Sequence, residues 1–218
     1  MPVSDLRLST RSPLAELMRP GRYGRPVEGP CQISLTERHD LDFRVISANA
    51  GQADAVAASV LSLTGLDLPA GASGVSENGL ALLGTAPDQW LAVAEGESRR
   101  ALLRSLAAAL AGLATIVDQS SGKAVIEISG ARVRDALTKG CSLDLHPSAF
   151  KAGDTATTPV ALIDCQIWQI DLKPTYLLAV PTSFAASFWG WLTASAAEYG
   201  YDVLPQRGPN TYAPAPTG

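Results

Sequence analysis

The chain has 218 residues, of which 46% are apolar and 17% charged, a balance typical of a globular protein with a buried core. No stretch approaches the roughly 18 apolar residues that span a bilayer, and the N-terminus lacks the continuous apolar segment of a secretory signal. The 3 widely spaced cysteines argue against a disulfide framework and for a reducing compartment. We therefore expect a cytoplasmic protein that does not act at a membrane.

The charge is unevenly distributed along the chain. Residues 1–26 contain five arginines against Asp5 and Glu16, a local charge of +3, which leaves −7 for the rest within a total of −4. An acidic body does not favour nucleic acid as a partner. A basic arm with prolines and glycines suits contact with an acidic protein surface, and a frayed, solvated terminus is the alternative.

Prolines mark both ends of the chain, with nine of the 15 in residues 1–40 or 205–218. Because proline lacks an N–H group and fixes φ, these segments predict extended arms rather than helices or inner strands. The predicted organisation is an N-terminal arm over residues 1–40, a first half over 41–114, a second half over 115–204 and a proline-rich tail over 205–218.

The first half has a strand–helix–hairpin–helix pattern. LDFRVISA alternates apolar and polar residues as a half-buried strand does, and GQADAVAASVLSLTG predicts a helix that ends at Gly65 and buries Leu61. LPAGASGVSENG predicts a loop, LALLG and WLAVA a hairpin, and ESRRALLRSLAAALAG a helix. The expected inner stripe of this last helix is Leu102, Leu106, Leu110 and Leu113.

The second half repeats the pattern. KAVIEIS predicts a strand, GARVRDALTKG a short helix, CSLDLHPSAFKAGD a loop, and TPVALID, QIWQIDL and TYLLAV three strands. PTSFAASFWGWLTASAAEYG predicts the final helix, which ends at Gly200. APDQWLAVAEGESRRALLRSLAAAL also aligns with KPTYLLAVPTSFAASFWGWLTASA. The sequence therefore predicts an α+β fold of two pseudo-symmetric βαββα halves with mostly antiparallel strands.

Few residues suggest chemistry. Neither a dinucleotide-binding nor a P-loop glycine motif is present. Cys141, Asp144 and His146 lie within six residues, but metal binding needs three or four convergent ligands. The favoured interpretation is a rigid loop that buries Leu143 and Leu145, with Asp144 bonded to nearby backbone N–H groups.

Three other features favour structural roles. The Ser120-Ser121-Gly122 segment has no histidine close in sequence and predicts a tight turn rather than a nucleophile. Cys165 is expected to be a small buried residue. Trp168, Trp189 and Trp191 are expected in the core or an interface, and since the last two lie on different faces of one helix, one of them should be partly exposed. We assign no catalytic, cofactor-binding or metal residues.

The segment VDQSSGKAVIEISGARVRDALTKGCSLDLHPSAF is similar to the gamma subunits of heterotetrameric sarcosine oxidases, and PTSFAASFWGWLTASAAEYG resembles the last helix of that family. The resemblance implies a non-catalytic subunit of a complex that oxidatively demethylates sarcosine to glycine, with hydrogen peroxide and formaldehyde or methylenetetrahydrofolate as products. It implies alpha, beta and delta partner subunits that carry FAD, FMN, NAD, zinc and tetrahydrofolate. It also implies the folate-binding fold of aminomethyltransferases.

One hairpin departs from the aminomethyltransferase pattern. The related proteins place an acidic residue in a glycine-rich hairpin, whereas IDCQIWQID here has no glycine pair and is flanked by Asp164 and Asp171. No folate-site residue is therefore assigned. The alternatives are a subunit of a related N-methylglutamate dehydrogenase, a free-standing folate-binding transferase and a ferredoxin-like binding module with no amine substrate.

Overall fold

The computed structural model describes residues 12–208. Residues 1–11 of the expected arm and residues 209–218 of the expected tail lie outside this range. In chain order the elements are β1 (Gly21–Tyr23), β2 (Ile33–Glu37), β3 (Leu41–Ala48), α1 (Ala53–Thr64), β4 (Gly74–Glu77), β5 (Leu80–Ala86), β6 (Gln89–Glu95), α2 (Glu97–Ala109), β7 (Ala114–Asp118), β8 (Lys123–Ser129), α3 (Val133–Leu137), β9 (Thr155–Val160), β10 (Ile163–Gln169), β11 (Thr175–Pro181), α4 (Ala185–Ala196) and β12 (Tyr201–Val203).

The strands form two sheets. One has five strands in the order β4-β5-β6-β3-β7, and the other has seven in the order β1-β12-β2-β8-β11-β10-β9. Within residues 12–208 all neighbouring strands run antiparallel except β2 and β12. The predicted α+β fold with mostly antiparallel strands is confirmed.

The two sheets pack face to face, with helices on their outer surfaces. Phe43 and Leu91 of the five-stranded sheet meet Val125 and Leu177 of the seven-stranded sheet in one buried cluster. A second cluster joins α1 and α2 to the five-stranded sheet, and a third joins α3 and α4 to the other sheet. Both faces of each sheet are thus buried, which explains why strands such as WLAVA are apolar at consecutive positions.

The two halves share one order of elements. The series β3-α1-β4-β5-β6-α2-β7 corresponds to β8-α3-β9-β10-β11-α4-β12, and the strand orders within the sheets match as well. The difference is that β2 lies between β8 and β12, whereas β7 pairs directly with β3. The predicted duplication is therefore present, and the seven-stranded sheet has been extended by the N-terminal region.

This extension differs from the extended arm expected over residues 1–40. Ile33 and Leu35 of β2 are fully buried in the core of the seven-stranded sheet, and β1 pairs with β12 at its edge. The physical reason lies in the sequence QISLTE, whose alternating Ile33 and Leu35 fit an inner strand despite the neighbouring prolines. The last residues of the expected arm are therefore part of the folded body.

Smaller differences concern the helices and the short strands. Helix α1 ends at Gly65 in the left-handed conformation (φ 75°), as predicted, but Leu61 is 42% exposed rather than buried. Helix α2 buries Leu103 instead of Leu102, because its stripe follows Leu103, Leu106 and Leu110. The predicted loop at 68–79 contains the short edge strand β4, and β7 and β12 were not predicted.

Candidate functional site

A cleft of about 570 Å³ lies between the two sheets. Its apolar floor includes Leu41 and Val93 from the five-stranded sheet and Trp168 and Leu177 from the other. Charged side chains also line it, among them Arg38, Glu95, Glu127 and Arg207. An apolar floor with a few convergent polar groups is the usual composition of a ligand site. Whether the cleft can bind a charged ligand therefore depends on whether these side chains are free or already paired with one another.

Arg38 is the centre of an ion-pair network that joins the two sheets. Its side chain is only 4% exposed. Its Nε and Nη2 donate to the Asp40 carboxylate at 2.8 and 2.9 Å, and its Nη1 donates to Glu127 Oε2 at 2.8 Å. Its Nη2 also lies 3.0 Å from Glu95 Oε2 at the end of β6. One guanidinium thereby connects β2, β6, β8 and the segment before β3.

The network holds Arg38 and Asp40 in their charged forms. Burial disfavours the charge on Arg38, but the hydrogen bonds that Arg38 donates to Asp40 and Glu127 outweigh it and raise the pKa of Arg38. Burial also opposes ionisation of Asp40, but Arg38 lowers the pKa of that carboxyl below its usual value. Because its three nitrogens are engaged by carboxylates, Arg38 does not present a free cation to an anionic substrate. This arrangement suits a structural clamp, in which one buried arginine holds the two sheets together through Glu95 and Glu127.

A second cavity of about 320 Å³ surrounds another buried carboxylate, that of Glu37. The side chain of Glu37 is 2% exposed, and His39 Nε2 lies 3.0 Å from its Oε1. The Ser12 hydroxyl donates to the same oxygen. The contact with Glu37 raises the pKa of His39 against the opposing effect of burial. The pair therefore favours a protonated His39 and fixes the N-terminal segment at Ser12.

Ser120 and Ser121 line this second cavity together with His39, so the fold brings these residues closer than the sequence does. Ser120 Oγ nevertheless accepts hydrogen bonds from the Phe43 backbone N–H and from Arg44 Nη1, both at 3.0 Å. Its own N–H donates to Asp118 Oδ1 at 2.9 Å. These bonds tie the predicted turn to β3, which agrees with its structural interpretation.

The loop with Cys141, Asp144 and His146 has the predicted local structure. Asp144 Oδ1 accepts the His146 backbone N–H at 2.9 Å, and Leu145 is buried, whereas Leu143, also expected to be buried, is only partly so. His146 is exposed, and its Nδ1 lies 2.7 Å from Ser148 Oγ. Burial raises the pKa of the Cys141 thiol, which disfavours the thiolate that a metal would need. Within residues 12–208 no group of three or more His, Cys, Asp or Glu side chains could hold a metal ion.

The remaining residues singled out in the sequence lie in the core. Cys165 is fully buried within β10, and burial raises its pKa well above the ordinary value. Trp168 packs between the sheets, and Trp189 is buried on the inner face of α4. Trp191 is partly exposed and packs against Phe188 with ring centroids 5.5 Å apart. The expectation that one of the two α4 tryptophans would be partly exposed is confirmed.

The β10–β11 hairpin differs from the glycine-rich acidic hairpin of the related folate sites. Asp164 is exposed at the start of β10, whereas Asp171 follows its end and lines the cleft, with its Oδ1 buried and without a hydrogen-bond partner among residues 12–208. Between them, Gln166 donates to Thr155 Oγ1 and accepts from Thr157 Oγ1, and Trp168 fills the floor. The stretch between the two acidic residues therefore carries no carboxylate for the N–H edge of a pterin, and Asp171 is the acidic residue of this hairpin that lines the cleft.

Sequence reasoning missed both buried charge clusters. The one sequence feature shared by both clusters is the run Glu37-Arg38-His39-Asp40, four ionisable residues at the junction of β2 and β3. A charge run usually marks a solvated turn. Here its partners, Glu95 and Glu127, come from distant strands.

Among residues 12–208, no helix combines the length and the apolar character that crossing a membrane requires.

The duplicated α+β sandwich is a fold that also forms part of an aminomethyltransferase. The structure resembles glycine cleavage system aminomethyltransferase T from Bartonella henselae with a TM-score of 0.56, covering 78% of this chain and 50% of that one. At 14% identity this likeness concerns the fold alone.

The chain belongs to the sarcosine oxidase, gamma subunit family, whose model matches residues 48–198. It is 32% identical over 177 residues to sarcosine oxidase subunit gamma of Arthrobacter sp., covering 80% of this chain and 83% of that one. It is 33% identical over 143 residues to the same subunit of Corynebacterium sp. strain P-1, covering 65% and 68%.

A solved complex gives the same result. A chain of the heterotetrameric sarcosine oxidase from Corynebacterium sp. U-96, in complex with pyrrole 2-carboxylate, matches with a TM-score of 0.75 and 27% identity. The match covers 87% of this chain and 95% of that one. The family resemblance found in the sequence is confirmed.

Proposed function

We propose that this chain is a non-catalytic subunit of a heterotetrameric sarcosine oxidase and contributes to the assembly and stability of that complex. The main support is the match to 95% of a chain of a solved heterotetrameric oxidase, at a TM-score of 0.75. A fold shared over nearly the whole length of a subunit favours the same place in the same kind of assembly.

The chemistry of the two cavities agrees with a non-catalytic role. In the larger cleft Arg38 is engaged by three carboxylates, and in the smaller one Glu37 is engaged by Ser12 and His39. Ser120 is bonded to the backbone of β3 rather than to a general base. Arg38, Glu37 and Ser120 are thus each committed to contacts within the chain.

The reaction and its cofactors are then expected on the other subunits. We propose alpha, beta and delta partners that carry FAD, FMN, NAD and zinc and use tetrahydrofolate, with the whole complex in the cytoplasm. That complex would demethylate sarcosine to glycine and release hydrogen peroxide with formaldehyde or methylenetetrahydrofolate. The lack of a glycine pair in the β10–β11 hairpin supports a folate site on another subunit.

Co-expression with the three candidate partner subunits tests this function. We expect the four chains to co-elute with bound flavin and to oxidise sarcosine, and the isolated chain to be inactive. Omission of this chain should reduce the yield of assembled complex. Parallel assays with N-methylglutamate distinguish the related dehydrogenase. A chain that demethylates an amine alone, or that binds tetrahydrofolate tightly in calorimetry, would contradict the proposal.

A further inference from the structure

The N-terminal segment is fixed to the body but presents charged and aromatic side chains outwards. Leu14 is fully buried in the core under α4, and the Arg25 backbone N–H donates to Ala197 O at 2.7 Å. Between these anchors, β1 forms the outer edge of the seven-stranded sheet, with all three of its residues exposed. This edge is therefore a defined surface rather than a frayed end.

Two arginines on this surface have no acidic partner among the described residues. Arg22 lies 3.3 Å from Asp202, but Arg19 and Arg25 form no side-chain ion pair with any residue between 12 and 208. They flank β1 on either side in the sequence. The edge therefore carries uncompensated positive charge, while residues 27–218 carry a net charge of −7.

An aromatic and apolar centre lies between the arginines. Tyr23 is 40% exposed although its ring stacks on Tyr201, with centroids 5.6 Å apart, and its hydroxyl donates to Arg19 O at 3.0 Å. Leu204 is exposed, and the register of β1 with β12 places it opposite Pro20. Tyrosine and arginine, with tryptophan, are the residues most enriched among those that contribute most of the binding energy at protein interfaces.

We infer that this β1 edge, defined by Arg19, Pro20, Tyr23, Arg25 and Leu204, is the surface that binds another subunit, and that the partner presents an acidic surface with an apolar centre. The inference rests on the proposed function as an oxidase subunit. Charge decides the kind of partner. A second copy of the chain would oppose arginine to arginine, which is unfavourable, whereas carboxylates on a different subunit would pair with Arg19 and Arg25.

The test uses the full-length chain and its co-expressed partner subunits, with affinity measured at about 0.1 M and about 1 M NaCl, where the Debye length is roughly 10 Å and 3 Å. For Arg19→Gln with Arg25→Gln we expect a roughly three- to tenfold loss of affinity at low salt and little difference from wild type at high salt. Charge reversal with Arg19→Glu and Arg25→Glu should weaken binding further.

The matched control neutralises two exposed arginines elsewhere, Arg104→Gln with Arg132→Gln, and should leave affinity unchanged. Melting temperatures of all variants identify any loss of folding. If the wild-type complex forms and both Arg19/Arg25 variants bind equally well at low salt, the assigned surface is wrong while the proposed function stands. If the wild-type chain binds no partner subunit, both are wrong. Arginine-dependent dimers of the isolated chain would assign the surface to a second copy and overturn the inference.

Discussion

Gly130 faces the backbone carbonyl of Gln32 so closely that a Cβ atom at Gly130 would lie 2.1 Å from that oxygen. Gly130 also has φ +125°, a conformation that side-chain-bearing residues rarely adopt. It follows β8, and Gln32 precedes β2, so this contact lies where the N-terminal strand joins the second half. A glycine at position 130 is thus needed for β2 to insert beside β8.

Gly130→Ala should therefore destabilise the protein by roughly 3 kcal/mol or more, the combined cost of backbone strain and a backbone clash. Gly112→Ala is the control, because Gly112 also has a positive φ (+82°) but no atom within 4 Å of the added Cβ. It should cost only about 1–2 kcal/mol of strain. Urea unfolding of both variants measures the difference, and equal losses would show that the contact with Gln32 is unimportant.

Arg38→Met should be among the most destabilising charge substitutions in the chain. It leaves Asp40, Glu95 and Glu127 close together without their common cation, and such a loss in a buried pair costs roughly 3–5 kcal/mol. Arg104→Met removes an arginine from an exposed pair with Glu97 and should cost under about 1 kcal/mol. Chemical denaturation checks both values. A loss for Arg38→Met as small as that of the control would rule out the clamp.

His39 should make stability depend on pH. Its pKa is raised in the folded state by Glu37, so the contribution of the pair is fully present below the ordinary histidine pKa of about 6.5 and is lost as pH rises through the higher folded value. The carboxyl groups with lowered pKa, such as Asp40 and Asp118, contribute fully in this range, and their contribution is lost only as pH falls to more acidic values.

His39→Gln should therefore reduce the free energy of unfolding more at about pH 5.5 than in alkaline solution. Denaturant titrations across this range measure the difference from wild type. His146→Gln, which removes an exposed imidazole outside this pair, is the matched control. A destabilisation by His39→Gln that is the same at every pH would contradict the protonated pair.

His146→Ala should leave turnover per assembled complex within several-fold of wild type, because within residues 12–208 the hydrogen bonds of its exposed ring are to Ser148 in its own loop. The measurement is sarcosine oxidation normalised to bound flavin in the four-subunit complex. Removal of a general acid or base typically costs on the order of a hundredfold or more. A loss of that size would give the Cys141–His146 loop a catalytic role.

The sequence predicted those helices and strands that are long enough to show a full pattern of alternating apolar and polar residues. β3, α1 and β8 were identified because each carries its own pattern of buried residues. β2 was missed because prolines surround it, and β12 because three residues are too few for a period. The Arg38 network could not be predicted, since Arg38 and Glu127 are 89 residues apart and only strand pairing brings them together.

The position of β2 also has a consequence for biosynthesis. Ile33 is synthesised long before its parallel neighbour Tyr201 of β12, so the seven-stranded sheet cannot close until β12 has been made. Pairings between residues so distant in sequence form slowly and leave apolar strand edges uncovered for longer. In the nascent chain one edge of β2 can pair with β8, while the other stays open until β12 arrives.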